Sequence, residues 1–198
     1  TTRRVIRGIV NTEVGQLVLV DTPGVHRPRT LLGERLNAMV SDTWSDVDVV
    51  VMCIPADEPI GPGDRFIAQE IASIPSKIKK IAVVTKIDTT PKQEVGEQLL
   101  AVGQLGMELG INWEHIVPVS AVSNTQVELL TQLIIDELPD GMALYPEGEH
   151  TDEPEMITMA ELIREAALEG VEDELPHSIA VVIDEMNLRE GRPADRPL

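Results

Sequence analysis

Short runs rich in Val and Ile alternate along this chain with longer segments of helical spacing, the pattern of a mostly parallel sheet covered by helices. The runs predict strands over about 3–11, 15–21, 47–54, 80–86 and 115–119, and the spacing between them predicts helices over about 29–45, 63–74, 93–109 and 125–138. Asn11-Thr12-Glu13-Val14-Gly15 is a short, turn-rich link, so the first two strands should pair as an antiparallel hairpin. Right-handed crossovers among the others should gather the loops after the strand C-termini on one edge of one sheet, where α/β sheets bind ligands.

The pattern stops after this unit. Residues 140–156 lack periodicity and are heavy in Pro, Gly and acid, so they read as a linker between a first domain over 1–139 and a second over 157–198. Thr158 can cap a helix with Glu161 three positions on, and Leu162, Ile163, Ala166 and Ala167 supply its apolar stripe. Pro176 ends that helical unit, and Ser178 to Ile183 reads as a strand. One helix and one strand bury too little surface to stand alone, so 157–198 is expected to be the first part of a second domain.

Composition narrows the class without settling the partner. At 198 residues and 42% hydrophobic, the chain can bury one substantial core. No apolar run approaches the roughly 18 to 20 residues that cross a bilayer, and Thr1-Thr2-Arg3-Arg4 lacks the layout of a signal peptide, so a soluble intracellular protein is expected. The net charge of −18 taken alone argues against nucleic acid, because phosphate contacts need Lys and Arg. Yet residues 1–139 hold 12 basic and 18 acidic side chains, whereas 140–198 hold 4 and 16, so charge alone decides nothing. Cys53 is the single cysteine and lies in an apolar run, which excludes a disulfide framework within the chain and predicts a core position. His26, His115, His150 and His177 show no metal-ligand spacing, Trp44 and Trp113 fit helix ends, and Asp57 and Glu58 fit a solvated face.

Three strand ends carry the chemistry. Leu17-Val18-Leu19-Val20 runs into Asp21-Thr22-Pro23-Gly24, where a carboxylate can hold a magnesium ion and Gly24 lets a backbone N–H approach a phosphate that a Cβ would obstruct. Ile81-Ala82-Val83-Val84 runs into Thr85-Lys86-Ile87-Asp88. There Asp88 can accept from the N1–H and exocyclic amine of guanine while the Lys86 stem lies along the base, and adenine lacks that donor pair. Val117-Pro118-Val119 runs into Ser120-Ala121-Val122, where the Ala121 N–H can reach the guanine O6. Each pattern alone also suits an ordinary strand end; their joint order on one sheet edge is the layout of a guanine-nucleotide hydrolase.

In these residues the chain resembles the Era family of GTPases. The resemblance implies a P-loop NTPase-like α/β fold, followed by the beginning of an α+β KH-type RNA-binding domain. It assigns nucleotide binding to Asp21, Thr22, Pro23, Gly24, Val25, Thr85, Lys86, Ile87, Asp88, Ser120, Ala121 and Val122, and magnesium to Asp21 with Thr1 or Thr2. Ala160-Glu161-Leu162-Ile163-Arg164-Glu165 and Glu174-Leu175-Pro176-His177-Ser178 resemble the start of the family's KH-type domain. GTP, GDP and magnesium are thus the implied ligands, and small-subunit ribosomal RNA and the 30S-type subunit the implied partners. A role in small-subunit assembly is implied with them, for a cytoplasmic monomer with peripheral association at the inner membrane face.

Three departures from the family pattern modify these expectations. The chain contains no Gly-x-x-x-x-Gly-Lys-Ser/Thr phosphate loop and stops before a Gly-x-x-Gly loop, so by itself it should turn over negligible GTP and bind RNA weakly. Thr85 stands where the family usually has asparagine, which removes an amide that helps tie the loops together. Val25 stands where Ras-like proteins have a water-orienting glutamine; Era-type enzymes share this apolar residue, so hydrolysis should be slow. A noncatalytic scaffold with a GTPase-like fold, or a different Era-like GTPase, is the rival reading.

Overall fold

The computed structural model describes residues 6–21, 47–151, 154–168 and 180–185; the expected helix over 29–45 lies outside them. Strands β1 (Ile6–Asn11) and β2 (Gln16–Asp21) form the expected hairpin, pairing Ile6 with Asp21 and Asn11 with Gln16. Thr12 closes its turn, since its N–H and Oγ1 both donate to Gly15 O, at 2.9 and 2.8 Å. Strands β3 (Val49–Pro55), β4 (Lys79–Thr85) and β5 (His115–Pro118) form a parallel sheet in the order β3-β4-β5. Helices α1 (Pro62–Ser73), α2 (Lys92–Leu109) and α3 (Val127–Asp136) follow these strands in turn.

Side-chain alternation explains the layering. Val50, Met52 and Ile54 of β3, with Ala82 and Val84 of β4, face one way and pack with Ala68 and Ile71 of α1 and Val102 and Leu105 of α2. Ile81, Val83, Val117 and Val119 face the other way, toward Ile134 of α3 and Leu17 of β2. Because β4 is covered on both faces, it reads as an unbroken apolar run, and each fully buried Val or Ile there contributes about 1.5–3 kcal/mol. α1 starts with Pro62, whose missing N–H is one the first turn cannot use, and Asp64 Oδ2 accepts the Gly61 N–H at 2.8 Å. α2 ends at Gly110, whose φ of +70° suits glycine, and the Ile111 N–H returns to Gly106 O at 2.8 Å.

Four expectations change. Among the described residues the strands fall in two sheets: β2 has no ladder bonds to β3, and the two parts meet through Leu17 and the core beneath α3. An apolar run reports burial and not which strand lies alongside. Cys53 is exposed and not core, because it stands beyond Val49 and Val51 on the face that α3 covers only in part. α4 (Glu155–Leu168) begins three residues before Thr158; the Ile157 and Thr158 N–H groups donate to Pro154 O, Glu161 pairs with Arg164 at 2.6 Å, and Leu162 and Ile163 are exposed. Lastly, Ala180 to Ile183 form no strand pairing among the described residues, so their apolar pattern has no ladder to join there.

Candidate functional site

β3, β4 and β5 run out together. The Val119 N–H donates to Val84 O at 2.8 Å and the Ala56 N–H to Thr85 O at 2.8 Å, carrying the parallel pairing just past each strand. The residues after Thr85 and Val119 are thereby delivered to one edge.

Lys86 turns the chain there with φ +59°, a left-handed conformation that a side chain rarely adopts. Its carbonyl accepts from the Thr89 N–H at 3.2 Å, Thr89 Oγ1 at 3.0 Å and Thr90 Oγ1 at 3.3 Å, and these three donors hold the turn. The next loop meets it directly. Ser120 Oγ donates to Asp88 Oδ1 at 2.5 Å and accepts the Ser123 N–H at 3.1 Å. Ser120 is fully buried whereas Asp88 is exposed, so the carboxylate is tethered at one oxygen and presented to solvent. Reciprocal bonds between Ser120 and Thr125, at 3.1 and 2.9 Å, close the loop and set Ala121 and Val122 at its exposed tip.

Ile87, expected at the ligand, is half-buried and packs against the α1–α2 core, so its side chain anchors the loop. Thr85 is also half-buried, and its Oγ1 reaches Ile54 O only at 3.5 Å, too long for a firm bond. Lys86 Nζ lies 3.5 Å from Asp57 Oδ2; both side chains are solvated, and such a pair contributes little. The Asp57 loop is held by Gln98, a buried side chain whose Nε2 donates to Pro55 O at 3.0 Å and Glu58 O at 2.9 Å. Sequence reasoning missed Gln98, Thr89 and Thr90. The available signal was a glutamine on the inner face of a helix, which must find partners once buried.

Asp21 ends β2 and is exposed. Cys53 keeps open surface, yet crowding around its thiol pushes its pKa up, and the Asp21 carboxylate raises it further. The Asp21 carboxylate is thus felt at Cys53 on β3, while Asp88, Ser120 and Ala121 stand together at the ends of β4 and β5. Thr1, Thr2, Thr22, Pro23, Gly24 and Val25 fall outside the described residues. No group of three His, Cys, Asp or Glu among the described residues could hold a metal by itself. A lone carboxylate at Asp21 fits magnesium, which takes most of its ligands from water and phosphate. His115, in keeping with a structural role, bonds Glu137 at 3.1 Å at the opposite end of the sheet, where Lys79 also pairs with Glu137 and Glu114.

A family model described as 50S ribosome-binding GTPase matches residues 1–86. GTPase Era of Streptomyces coelicolor is 63% identical over 198 residues, which is 100% of this chain and 62% of that protein. GTPase Era of Mycolicibacterium smegmatis is 62% identical over 192 residues, covering 97% of this chain and 63% of that protein. A crystal structure of Era in complex with MgGDPNP and nucleotides 1506–1542 of 16S ribosomal RNA superposes with a TM-score of 0.84 at 30% identity, covering 98% of this chain and 64% of that one. An Aquifex aeolicus Era variant bound to GDP and AlF4− gives 0.81 at 30% identity, covering 96% and 62%. Matched over its full length at up to 63% identity, this chain belongs to the Era family, spanning somewhat less than two thirds of the length of these relatives.

Proposed function

We propose that the protein containing this chain is a GTP-driven switch that hydrolyses GTP slowly to GDP and phosphate and assists small ribosomal subunit assembly by binding ribosomal RNA. The observation that carries this reading is the Ser120–Asp88 tether, which fixes an exposed carboxylate beside the Ala121 loop. Asp88 would accept from the guanine N1–H and amine, the Lys86 stem would lie along the base plane, and the Ala121 N–H would meet O6. Asp21 would hold magnesium through water, with Thr1 or Thr2 as its further ligand, and Gly24 would offer its N–H to the γ-phosphate. Bound magnesium supplies charge stabilisation for phosphoryl transfer; the chain's own part is to read the base and position the metal.

Two descriptions point to different ribosomal subunits. The family model is named for 50S, whereas the solved relative that matches 98% of this chain is held on 16S RNA, and the small-subunit reading follows the latter. The reading extends to a KH-type domain beginning at 157–198, and to a monomer in the cytoplasm with peripheral contact at the inner membrane face; these rest on the family resemblance. Titration of the full-length protein with fluorescent GDP, GTP and ATP tests the core of it. Guanine nucleotides should compete with one another and ATP should not; a full-length protein that bound none of them would leave the scaffold reading standing. This chain alone should show negligible turnover and weak RNA binding.

A further inference from the structure

Residues 144–151 carry the composition of a linker, yet they lie along the outer edge of the β1–β2 hairpin. Gln16 begins the contact: its Oε1 accepts the N–H groups of Leu144 at 2.9 Å and Tyr145 at 3.0 Å, and its Nε2 donates to Tyr145 O at 3.0 Å. The same Nε2 donates to Asn11 Oδ1 at 2.8 Å, which fixes the amide's orientation. Further along, Asn11 Nδ2 donates to Glu149 O at 3.1 Å and the Ile9 N–H to His150 O at 2.8 Å. Thr151 Oγ1 donates to Arg7 O at 2.9 Å, and Thr151 forms an antiparallel bridge with Gly8.

The direction of this strap matters. It leaves Gln16 at the turn end of the hairpin and runs antiparallel to β1, so that Thr151 stands level with Gly8, whose ladder partner is Leu19. α4 starts four residues later, and Asp21 closes β2 two residues past Leu19. The beginning of the second unit is thus carried back to the end of the hairpin that leads into Thr22–Val25.

We propose that Gln16 and residues 144–151 form a transmission strap, through which the nucleotide state of the hairpin's ends is felt by α4; this rests on the switch reading above. Because the contacts at Arg7, Ile9, Asn11 and Gln16 run the length of the hairpin, strap and hairpin are held as one piece. A shift of the hairpin along its own axis would move the Ile9, Arg7 and Gln16 contacts together. Gln16 is a positioning residue in this scheme and touches no substrate.

Amide exchange in the full-length protein, without nucleotide, with GDP and with a non-hydrolysable GTP analogue, tests the proposal. Gln16→Ala should raise exchange at Leu144 and Tyr145 by roughly ten- to a hundredfold. Gln16→Glu, which keeps the acceptor and loses both donations, should fall between, and the β4 amides should not change in either variant. In the native protein the strap should exchange at different rates with GDP and with the analogue, and Gln16→Ala should abolish that difference. Unchanged Leu144 and Tyr145 exchange in Gln16→Ala would overturn the role of Gln16, and identical strap exchange in the two nucleotide states would overturn the coupling. A protein that bound no guanine nucleotide would remove the switch reading and the coupling with it, while the nucleotide-free arm would still report whether the strap is docked.

Discussion

Replacing Ser120 by alanine removes a single oxygen that makes two bonds: it donates to Asp88 Oδ1 at 2.5 Å and accepts the Ser123 N–H at 3.1 Å. A hydrogen bond to a charged group contributes about 1.5–3 kcal/mol. Asp88 is exposed and its freed oxygen regains water, as does the Ser123 N–H, so the loss belongs at the low end, about 1.5–2 kcal/mol. For a protein of this size that lowers Tm by about 3–8 °C. Asp88→Ala does comparable damage from the other side, because it strands the Ser120 hydroxyl in a fully buried position. The two losses overlap. In denaturant unfolding the double variant should therefore be less destabilised than the sum of the singles by about 1–2 kcal/mol. Additivity within about 0.5 kcal/mol would refute the tether. On the ligand side, an untethered Asp88 must be ordered afresh by guanine, so Ser120→Ala in the full-length protein should weaken guanine-nucleotide binding by about 1 kcal/mol and leave the preference over ATP intact.

Three further outcomes are expected. In α2, a Cβ at Gly106 would stand 2.5 Å from Trp113 Nε1 and 3.1 Å from Ile111 O, whereas one at Gly96 would meet nothing within 4 Å. Gly96→Ala should stabilise by up to about 1 kcal/mol, and Gly106→Ala should lose that gain to an overpacking cost of about 1–3 kcal/mol; equal rises in the urea midpoint would refute the Trp113 contact. Asp88→Asn in the full-length protein exchanges an acceptor for an amide donor, so binding should shift from GTP toward XTP, whose C2 carbonyl accepts; unchanged GTP preference in competition binding would remove Asp88 from the base site. The Cys53 thiol is held above its ordinary value of 9.0, by crowding first and Asp21 second, so it stays protonated at neutral pH and reacts as the thiolate only at higher pH. Asp21→Asn removes the second cause, lowers that pKa and should speed alkylation near pH 9.0; an unchanged pH–rate profile would place Asp21 away from β3.

The parts of this fold that were legible in the sequence are those where burial and periodicity coincide. β4 is covered on both faces, and its unbroken run from Ile81 to Val84 could belong to little else. The Asp88–Ser120 pairing was legible only as an order of motifs, since a serine and an aspartate so far apart meet only once β4 and β5 pair in register. Cys53 misled because an apolar run implies a two-sided environment, and α3 covers the odd-numbered face of β3 incompletely. The strap was illegible for a different reason. Its bonds to Ile9, Arg7 and Gln16 use mainly its own backbone, which leaves no side-chain periodicity in residues 144–151 to read. The left-handed turn at Lys86 is likewise invisible, because no glycine marks it and three donors from Thr89 and Thr90 hold it instead.

Among the described residues of this chain, the two ends of the candidate site lie on separate sheets. Asp88 and Ser120 sit on β4 and β5, whose ladder bonds and two-sided core bind them into the most buried part of the structure. Asp21 sits on a hairpin that reaches this core through Leu17, with Leu19 and Val10 exposed on its surface. Local opening free energies follow buried contacts, so the two units should differ in hydrogen exchange. Amides of Ile81–Val84 should exchange only through global unfolding, with a denaturant dependence equal to that of the equilibrium transition. In this chain the amides of Ile9, Leu17 and Leu19 should exchange through a smaller opening, several kcal/mol below the global value for a domain of about 5–15 kcal/mol stability. In this chain the end that carries Asp88 would then be the more rigid, and the end that carries Asp21 the less. Identical exchange free energies and slopes in the hairpin and in β4 of this chain would show one cooperative unit and refute the difference.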